Sequence, residues 1–454
     1  MSIELQHVYD EEFHDDLVVL LEGGDERLLR TLLARLHPAD LADALEHLDP
    51  PQRQRVFELI APEDRAPAII EMDEGLREQL LDALDTPQIA EFVARLDSDD
   101  AADLLQTLSP EVAERVLAAI SPADARRLRR LLAFPEDTAG GIMAAEVVAV
   151  PERDSVAQAI ERLRAAGEAQ ADIPHLFVVD DSGRLTGILT LRDMLLRDGA
   201  TAVGAIVDRE VRAVPATMDQ EEVVDLARKY DLAVVPVIDH HGRLIGQITI
   251  DDILEAYEEE ASEDFIRFSG GLEEESPGDS VVTVSRNRLP WLVLGLIGGA
   301  VSAWVMSRFE GEFSAAMQIA FFIPVIMAMG GNVGMQSSAT IVRGIATGEV
   351  DRPNARARLT KEIIVGVVNA LVLAVLLWGI VTLWLGRWHL AIVVGVSLAV
   401  TMTMAAIVGS AVPLMLKRLG ADPALATGPF VTTSNDIIGL TIYLALTTAL
   451  LRWI

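Results

Sequence analysis

Hydrophobic residues form five long stretches in the last third of the chain, and the first four of these stretches contain no Asp, Glu, Lys or Arg. The stretches are residues 289–307, 313–342, 363–386, 390–416 and 423–451. Each reaches the roughly 17–25 residues that a helix needs to cross the hydrocarbon core of a bilayer. Because five such stretches in succession are not typical of a soluble protein, the pattern predicts five membrane-spanning helices.

Basic residues are concentrated in every second connection between these stretches. They precede the first stretch, separate the second from the third, and follow the fourth: Arg286, Arg288, Arg343, Arg352, Arg356, Arg358, Lys361, Lys417 and Arg418. The other connections hold only Arg308 and Arg387. Basic loops tend to stay on the cytoplasmic side of a membrane. The pattern therefore predicts a multi-pass protein with a cytoplasmic N-terminus and a C-terminus outside.

One acidic residue, Asp436, interrupts the fifth stretch near its middle. None of the five stretches contains a Lys or Arg that could pair with it. An unpaired carboxylate at that depth costs about 2.5 kcal/mol or more, and such residues commonly mark an ion path. We therefore predict that Asp436 binds a permeating cation. The alternative is a protonated Asp at a contact between helices.

Polar and glycine residues on two stretches extend the predicted pore site around Asp436. Thr432 lies in a polar run just before Asp436, and Gly331 lies in a glycine-rich run of the second stretch. Irregular backbone is tolerated at this depth where it lines a cavity. Asn332 and Gln336 are four residues apart, so both would point to one side of a helix. These five residues form the predicted pore site, although close helix packing is an alternative explanation of the glycine.

An internal repeat with an offset of 60 residues occupies the N-terminal region. Residues 36–45 align without a gap with residues 96–105. Short amphipathic helices that begin at Asp or Pro explain the pattern. The repeat predicts an all-α superhelix over residues 1–134, in which each unit stacks on the next.

A second repeat relates residues 177–193 to residues 236–252. Each copy has an apolar strand, a turn containing glycine, a second strand and the start of a helix. The repeat resembles a tandem pair of CBS domains, which would occupy about 135–200 and 201–257.

The CBS resemblance implies a nucleotide site. In that family, pairs of domains often bind adenosine nucleotides, and an Asp after the second strand holds the ribose. Asp193 and Asp252 occupy that position in this sequence. Because many CBS pairs bind no nucleotide, whether ATP binds stays open at this point.

Acidic residues dominate the part of the chain that precedes the apolar stretches. The formal net charge is −32, and residues 1–300 contain 62 of the 69 acidic residues. This charge attracts cations and disfavours nucleic acid as a partner. The chain has no cysteine, which excludes disulfides and thiolate metal sites.

A run of acidic residues follows the second CBS unit and predicts an acidic connecting helix, assigned to residues 258–285. Asp251, Glu255, Glu258 and Glu259 would share one helical face, where like charges destabilise a helix. Bound divalent cations would cancel this repulsion, and carboxylate oxygens suit Mg²⁺. A solvated linker helix is the alternative.

The order of these features resembles the MgtE magnesium channels, and residues 330–338 and 422–436 resemble the pore signature of that family. The resemblance implies a multidomain fold with four parts: an all-α helical-repeat superhelix, an α/β CBS-domain pair, a connecting plug helix, and a five-helix α transmembrane domain at 286–454. It also implies a homodimer in the bacterial inner membrane, with the pore on the two-fold axis.

The resemblance further implies that the acidic cytoplasmic domains sense magnesium and close the channel. The candidate regulatory acids are Asp99, Asp100, Asp219, Glu221, Asp251, Asp252, Glu255, Glu258, Glu259, Glu263 and Asp422. The resemblance thus implies Mg²⁺ as both the transported ion and the regulatory ligand, and it leaves open whether ATP is a ligand of the CBS pair.

Three other functions compete with a magnesium channel. A proton- or sodium-coupled carrier of divalent cations could use Asp436 as a relay. A nucleotide sensor that regulates an anion transporter is disfavoured, because the predicted spans contain a bare carboxylate and no basic residue. An enzyme is disfavoured most, since the sequence shows no nucleophile–base pair, phosphate loop or metal-hydrolase spacing.

Overall fold

The computed structural model describes residues 11–23, 25–166, 175–269, 280–309, 317–346, 350, 355–419, 423 and 428–451. The chain divides into two compact units, residues 1–260 with 276–278, and residues 261–275 with 279–454.

The first unit begins with a series of short helices. They are α1 (Glu11–Gly23), α2 (Glu26–Leu33), α3 (Pro38–Glu46), α4 (Pro50–Leu59), α5 (Arg65–Ile70), α6 (Glu74–Asp82), α7 (Thr86–Val93), α8 (Ser98–Gln106), α9 (Pro110–Ala119) and α10 (Pro122–Leu131). Local sequence explains where several of them start. Asp49 and Asp85 each accept a hydrogen bond from a glutamine amide three residues later, and the glutamine side chain accepts one in return. These capping boxes satisfy backbone donors that a helix start leaves free.

Two similar α/β units follow the helices. The first contains β1 (Ala149–Pro151), α11 (Val156–Ala166), β2 (His175–Val179), β3 (Leu185–Thr190) and α12 (Leu191–Leu195). The second contains β4 (Val214–Pro215), α13 (Gln220–Tyr230), β5 (Val234–Ile238) and β6 (Leu244–Thr249). In each three-stranded sheet the first two strands are parallel and the last two antiparallel. This topology agrees with the repeat in the sequence.

The hairpin turns of the two units pair with each other. Gly183 and Gly242 have φ of 80° and 77°, a region that favours glycine. The amide of Leu185 donates to the carbonyl of Gly242 at 3.1 Å, and the amide of Leu244 donates to the carbonyl of Gly183 at 3.2 Å. The two units are therefore joined by a reciprocal backbone contact.

A single helix, α14 (Ile250–Ser269), follows β6 directly. Its buried residues Ile253 and Ala256 belong to the same hydrophobic core as Ala101 and Leu104 of α8. The first α/β unit has a separate core around Val150. The second α/β unit and the start of α14 therefore pack with the helical repeat.

The second unit contains five long helices among its described residues. They are α15 (Val281–Ser307), α16 (Ile323–Ala346), α17 (Ala355–Leu385), α18 (Trp388–Leu419) and α19 (Pro429–Leu451), and a 3₁₀ helix, Met317–Phe322, leads into α16. Among the described helices, four are long and apolar enough to cross a membrane, namely Val281–Ser307, Met317–Ile345, Ala355–Leu385 and Trp388–Leu419. The fifth, α19, packs against α15, α16 and α18.

Candidate functional site

The first candidate site is a set of carboxylates in the first unit. Asp99, Asp100 and Asp103 lie on α8, and Asp252 and Glu255 lie on the first turns of α14. Because α8 and α14 share a hydrophobic core, acids separated by about 150 residues in sequence lie within one another's electrostatic field.

Burial and mutual repulsion disfavour the charged form of these α8 acids. Burial, followed by the charges of Asp252 and Asp100, raises the pKa of Asp99 to about 9. Burial and the charge of Asp252 raise the pKa of Asp100 to about 7. Burial and the charge of Glu255 raise the pKa of Asp103 to about 7. Raised pKa values of this kind indicate that protons or other cations would stabilise the folded state at these carboxylates.

The α14 side of the site shows the same effect. Burial raises the pKa of Asp252 to about 6, although Thr249 donates its hydroxyl at 2.5 Å and its amide at 2.9 Å to the same carboxylate. Desolvation also raises the pKa of Glu255 and Glu259, and neighbouring acids add to both shifts. A divalent cation would offset several of these charges together.

A buried polar contact fixes the start of α8. Ser98 is 3% exposed, and its hydroxyl donates to Glu146 at 2.5 Å and accepts from the amide of Ala145 at 2.8 Å. Arg127 forms an ion pair with the same Glu146. The acids of α8 are thereby held on a helix whose first turn is anchored to the segment before β1.

The structure places the other predicted regulatory acids differently. Asp219 caps α13 by accepting the amide of Glu221 at 2.9 Å, which gives it a structural role. The hydroxyl of Thr249 also lies within hydrogen-bond distance of Asp251, but its single proton can be donated to only one of Asp251 and Asp252 at a time. Glu263 forms an ion pair with Arg267 on the same helix. Glu258 is exposed, and Asp422 lies outside the described residues.

Direct coordination is not preformed at this acidic surface. Within the described part of the chain, no three His, Asp or Glu side chains converge in a way that could hold a metal ion. Mg²⁺ commonly keeps several of its waters and is held by one or two carboxylates. A hydrated ion therefore requires neighbouring carboxylates rather than a closed cage.

Two members of the acidic surface were missed in the sequence. Burial and the charges of Glu146 and Asp251 raise the pKa of Asp97, and Asp103 belongs to the α8 group. Asp103 lies four residues after Asp99, so the helical period predicts that the two side chains share one face of α8.

The two Asp residues of the predicted nucleotide site have matching local structures. Thr190 donates its hydroxyl to Asp193 at 2.6 Å, as Thr249 does to Asp252. Their environments differ, because Asp252 also faces the acids of α8. Negative neighbours would disfavour a phosphate-bearing ligand near Asp252.

The second candidate site lies where α16 packs against α19. A Cβ added at Gly331 would lie 3.8 Å from Cγ2 of Thr432, so the structure brings these two predicted residues together. Asp436 is half-buried, and Asn332 and Gln336 are both exposed on one face of α16. Both side chains are exposed in the structure of one chain, as expected if they share one face of α16.

Asn435 is a residue of this region that the predicted site omitted. It is 3% exposed, and neither its amide nitrogen nor its oxygen has a hydrogen-bond partner among the described residues. The sequence shows Asn435 only as one member of a polar run, so nothing distinguished it from its neighbours.

Family models match most of the chain. A model for the MgtE intracellular N domain matches residues 36–137, and a CBS domain model matches residues 139–198 and 203–259. The MgtE model, which describes a divalent cation transporter, matches residues 323–446.

Full-length relatives decide the family. The magnesium transporter MgtE of Thermus thermophilus is 37% identical, over 98% of this chain and 99% of its own length. The magnesium transporter MgtE of Enterococcus faecalis is 33% identical, with coverage of 98% and 99%. The chain belongs to the MgtE family.

Membership confirms several of the predictions made from the sequence. This MgtE protein is a multi-pass membrane protein of a magnesium transporter family and is not an enzyme. The predicted multidomain architecture is also confirmed. The inosine-5'-monophosphate dehydrogenase of Methanocaldococcus jannaschii is 31% identical over only 24% of this chain, a short segment beside the full-length MgtE matches.

Solved structures agree with the first unit of this MgtE protein. The cytosolic domain of the Mg²⁺ channel MgtE in complex with ATP is 34% identical, with a TM-score of 0.51, over 53% of this chain and 99% of that chain. The soluble part of a magnesium transporter is 28% identical, with a TM-score of 0.50, over 55% and 99%.

Proposed function

We propose that this protein is a magnesium-selective channel for Mg²⁺ uptake, closed by cytoplasmic Mg²⁺ that binds the acidic surface of α8 and α14. The observation that carries the proposal is the half-buried carboxylate of Asp436 on α19, a helix that packs against three of the four apolar helices. A carboxylate in that setting is stabilised by a cation in a water-filled path.

The proposed pore site holds a hydrated ion. Mg²⁺ loses its waters reluctantly, so Asp436, the amides of Asn332 and Gln336, and oxygens near Gly331 and Thr432 would contact its hydration shell. Binding must be strong enough for entry and weak enough for exit. A single carboxylate per chain with neutral neighbours meets both conditions.

The proposed gate uses the repulsion within the acidic surface. When cytoplasmic Mg²⁺ is abundant, it binds between α8 and α14 and stabilises the closed state. When Mg²⁺ is scarce, Asp99, Asp100 and neighbouring acids must either hold protons or repel one another in that state, and both cost free energy relative to an open, solvated surface. A ligand that binds one state more tightly shifts the population towards it.

The runner-up function is an ion-coupled carrier, which commonly needs several intramembrane ionisable groups. Among the described residues of the five long helices, the carboxylate that is buried besides the half-buried Asp436 is Glu362, near the start of α17. Glu362 pairs with Arg358 on the same helix at 3.8 Å, so its charge is compensated. This pairing favours a channel.

Patch-clamp recording with stepped cytoplasmic Mg²⁺ tests the channel and its gate together. We expect Mg²⁺ current at low cytoplasmic Mg²⁺, progressive closure as Mg²⁺ rises, and no dependence on proton or sodium gradients. A variant lacking residues 1–260 is the control, and it should conduct without closing. Strict dependence of flux on either gradient would establish a carrier instead.

We also propose that the protein is a homodimer with a cytoplasmic N-terminus in the bacterial inner membrane. Ile250, Leu254 and Tyr257 are about half exposed and line a cavity of 420 Å³ between α13 and α14. An exposed apolar surface of this kind supports association with a second copy. The basic connections of the second unit support the orientation.

ATP is proposed as a ligand of the CBS pair, at Asp193. The support is the ATP complex of the related MgtE cytosolic domain and the repulsion that phosphates would meet near Asp252. We expect Asp193→Ala to weaken ATP binding by at least about tenfold, the loss of one charge-assisted hydrogen bond, and Asp252→Ala to have a smaller effect. Isothermal titration of ATP into both variants measures this, and equal losses would contradict the assignment.

A further inference from the structure

Helix α19 contacts its neighbours through very small residues at three positions. A Cβ added at Gly298 of α15 would lie 1.9 Å from Cγ2 of Thr433. A Cβ added at Gly439 would lie 2.9 Å from Cγ2 of Thr401 on α18. These contacts leave α19 little freedom to rotate about its axis, because side chains in close-packed interiors cannot be displaced cheaply.

The third contact joins Asn435 to α16. A Cβ added at Gly334 would lie 1.7 Å from Nδ2 of Asn435. Gly409 of α18 packs against the backbone of Gly334, since a Cβ added at Gly409 would lie 2.3 Å from the carbonyl oxygen of Gly334. The amide of Asn435 thus occupies a slot that a side chain at Gly334 would fill, on a segment of α16 that also packs closely against α18.

The polar character of Asn435 does not serve the packing of the helices. The side chain is 3% exposed, and both polar atoms of its amide lack a partner among the described residues. A buried amide without a partner destabilises a fold, whereas an apolar side chain of similar shape would not. Residues that lower stability in this way are commonly retained for function.

The position of Asn435 in the chain connects it to the pore. Asp436 is the next residue of α19, and successive residues of a helix are separated by about 100° around its axis. When the amide of Asn435 is held against Gly334, the direction of the Asp436 carboxylate is fixed as well. A small rotation of α19 would displace that carboxylate from the ion.

We propose that Asn435 is a positioning residue: its amide, held in the slot at Gly334, sets the rotation of α19 and so places Asp436 for selective binding of Mg²⁺. This inference rests on the proposed channel function, because it assigns to Asn435 the alignment of the pore carboxylate. It predicts that ion selectivity depends on Asn435 even though this side chain is buried between helices and is not one of the residues proposed to contact the ion.

The test is Asn435→Leu in the full chain, reconstituted in liposomes for Mg²⁺ flux and in bilayers for reversal potentials. We expect an unfolding temperature equal to or above that of the unchanged protein, because a buried amide without a partner is removed. We also expect the half-saturating Mg²⁺ concentration to rise about tenfold and the Mg²⁺/Ca²⁺ permeability ratio to fall about tenfold, because a leucine methyl is wider than the amide nitrogen that fits against Gly334 and would turn α19, so that the ion site loses its geometry. A merely structural role would lower the unfolding temperature and leave both ion constants unchanged, and that result would overturn the proposal.

A compensating pair tests the slot itself. Gly334→Ala should impair selectivity as Asn435→Leu does, because the new methyl overlaps the amide. Combining Gly334→Ala with Asn435→Ala removes the overlap, so the double variant should transport better than Gly334→Ala alone. If the double variant transports Mg²⁺ no better than Gly334→Ala, the proposal is contradicted. If Gly334→Ala does not fold, the test is whether the double variant folds, and a double variant that also fails to fold contradicts the proposal. Gly379→Ala on α17 is the matched control, since nothing beyond the local backbone of its own helix lies within 4 Å of the added Cβ.

The unchanged protein and Asp436→Asn separate this inference from the proposed function. If the unchanged protein carries no Mg²⁺ current, or Asp436→Asn still carries it, the channel assignment fails and the inference fails with it. If both behave as proposed while Asn435→Leu keeps the original permeability ratio, only the role of Asn435 is rejected.

Discussion

We expect Asp436→Asn to reduce Mg²⁺ flux at least about a hundredfold while the protein stays folded. Two unit charges 4 Å apart interact by about 4 kcal/mol at an effective dielectric constant of 20, and an amide of the same shape removes most of that attraction for a divalent ion. Mg²⁺ uptake into liposomes, with a magnesium-sensitive dye inside, measures the loss. Undiminished flux in the variant would refute the pore assignment.

Thr441→Val is the control for this experiment. Thr441 lies on the same helix, is exposed, and donates its hydroxyl to the carbonyl of Ile437 at 2.7 Å within α19. The substitution changes a polar residue of α19 without touching Asp436 or its charge. We therefore expect it to keep the original flux, so a loss in both variants would indicate general damage to the helix.

The acidic surface predicts a second large effect, a stability of the first unit that depends on pH and on Mg²⁺. The pKa values of Asp252, Asp100, Asp103 and Asp99 are raised to about 6, 7, 7 and 9. A raised carboxylate pKa stabilises the fold fully below the unfolded value of about 4, and this contribution is lost as the pH rises through the folded values. Without divalent cations, the unit should therefore be more stable at pH 5 than at pH 8.

Mg²⁺ should reverse that trend, because it binds the ionised carboxylates. At a free concentration of about 100 times its dissociation constant, a ligand of the folded state stabilises it by about 2.7 kcal/mol. For a unit of this size the unfolding temperature should rise by roughly 5–10 °C at pH 8, and by much less at pH 5. Thermal unfolding of residues 1–260 with and without Mg²⁺, at constant ionic strength, measures both effects.

Charge-matched variants locate the effect on α8. Changing Asp99, Asp100 and Asp103 together to Asn should flatten the pH dependence and remove most of the Mg²⁺ shift. Changing Glu58, Glu63 and Glu111 together to Gln alters the net charge equally at exposed positions, and it should leave both effects in place. A full Mg²⁺ shift in the α8 variant would show that the ion binds elsewhere.

Local patterns were sufficient to predict most of the fold. Capping residues such as Asp49 marked helix starts, and the matching turns at Gly183 and Gly242 marked the two α/β units. Local rules also explain why Asp219 has a structural role, although we predicted it to be a regulatory acid. Asp219 precedes a helix and caps it, and an Asp at that position is a common helix start signal.

Contacts between distant segments were not accessible from the sequence. The approach of α8 to α14 depends on how the helical repeat and the second CBS unit share one core. The sequence pattern therefore indicated Asp99 and Asp252 as separate candidates, but it did not show that the charge of one raises the pKa of the other. The burial of Asn435 likewise depends on its approach to Gly334 of another helix, which a helical period alone does not align.

The continuity of α14 has a mechanical consequence. The helix runs without interruption from Ile250, next to the last strand of the second α/β unit, to Ser269. A helix of 20 residues is a rod about 30 Å long, and a tilt of about 5° at one end displaces the other end by about 2.5 Å. In the proposed gate, small changes in spacing near Asp252 would be amplified along this lever arm, so a bound ion would move a distant point without refolding any segment.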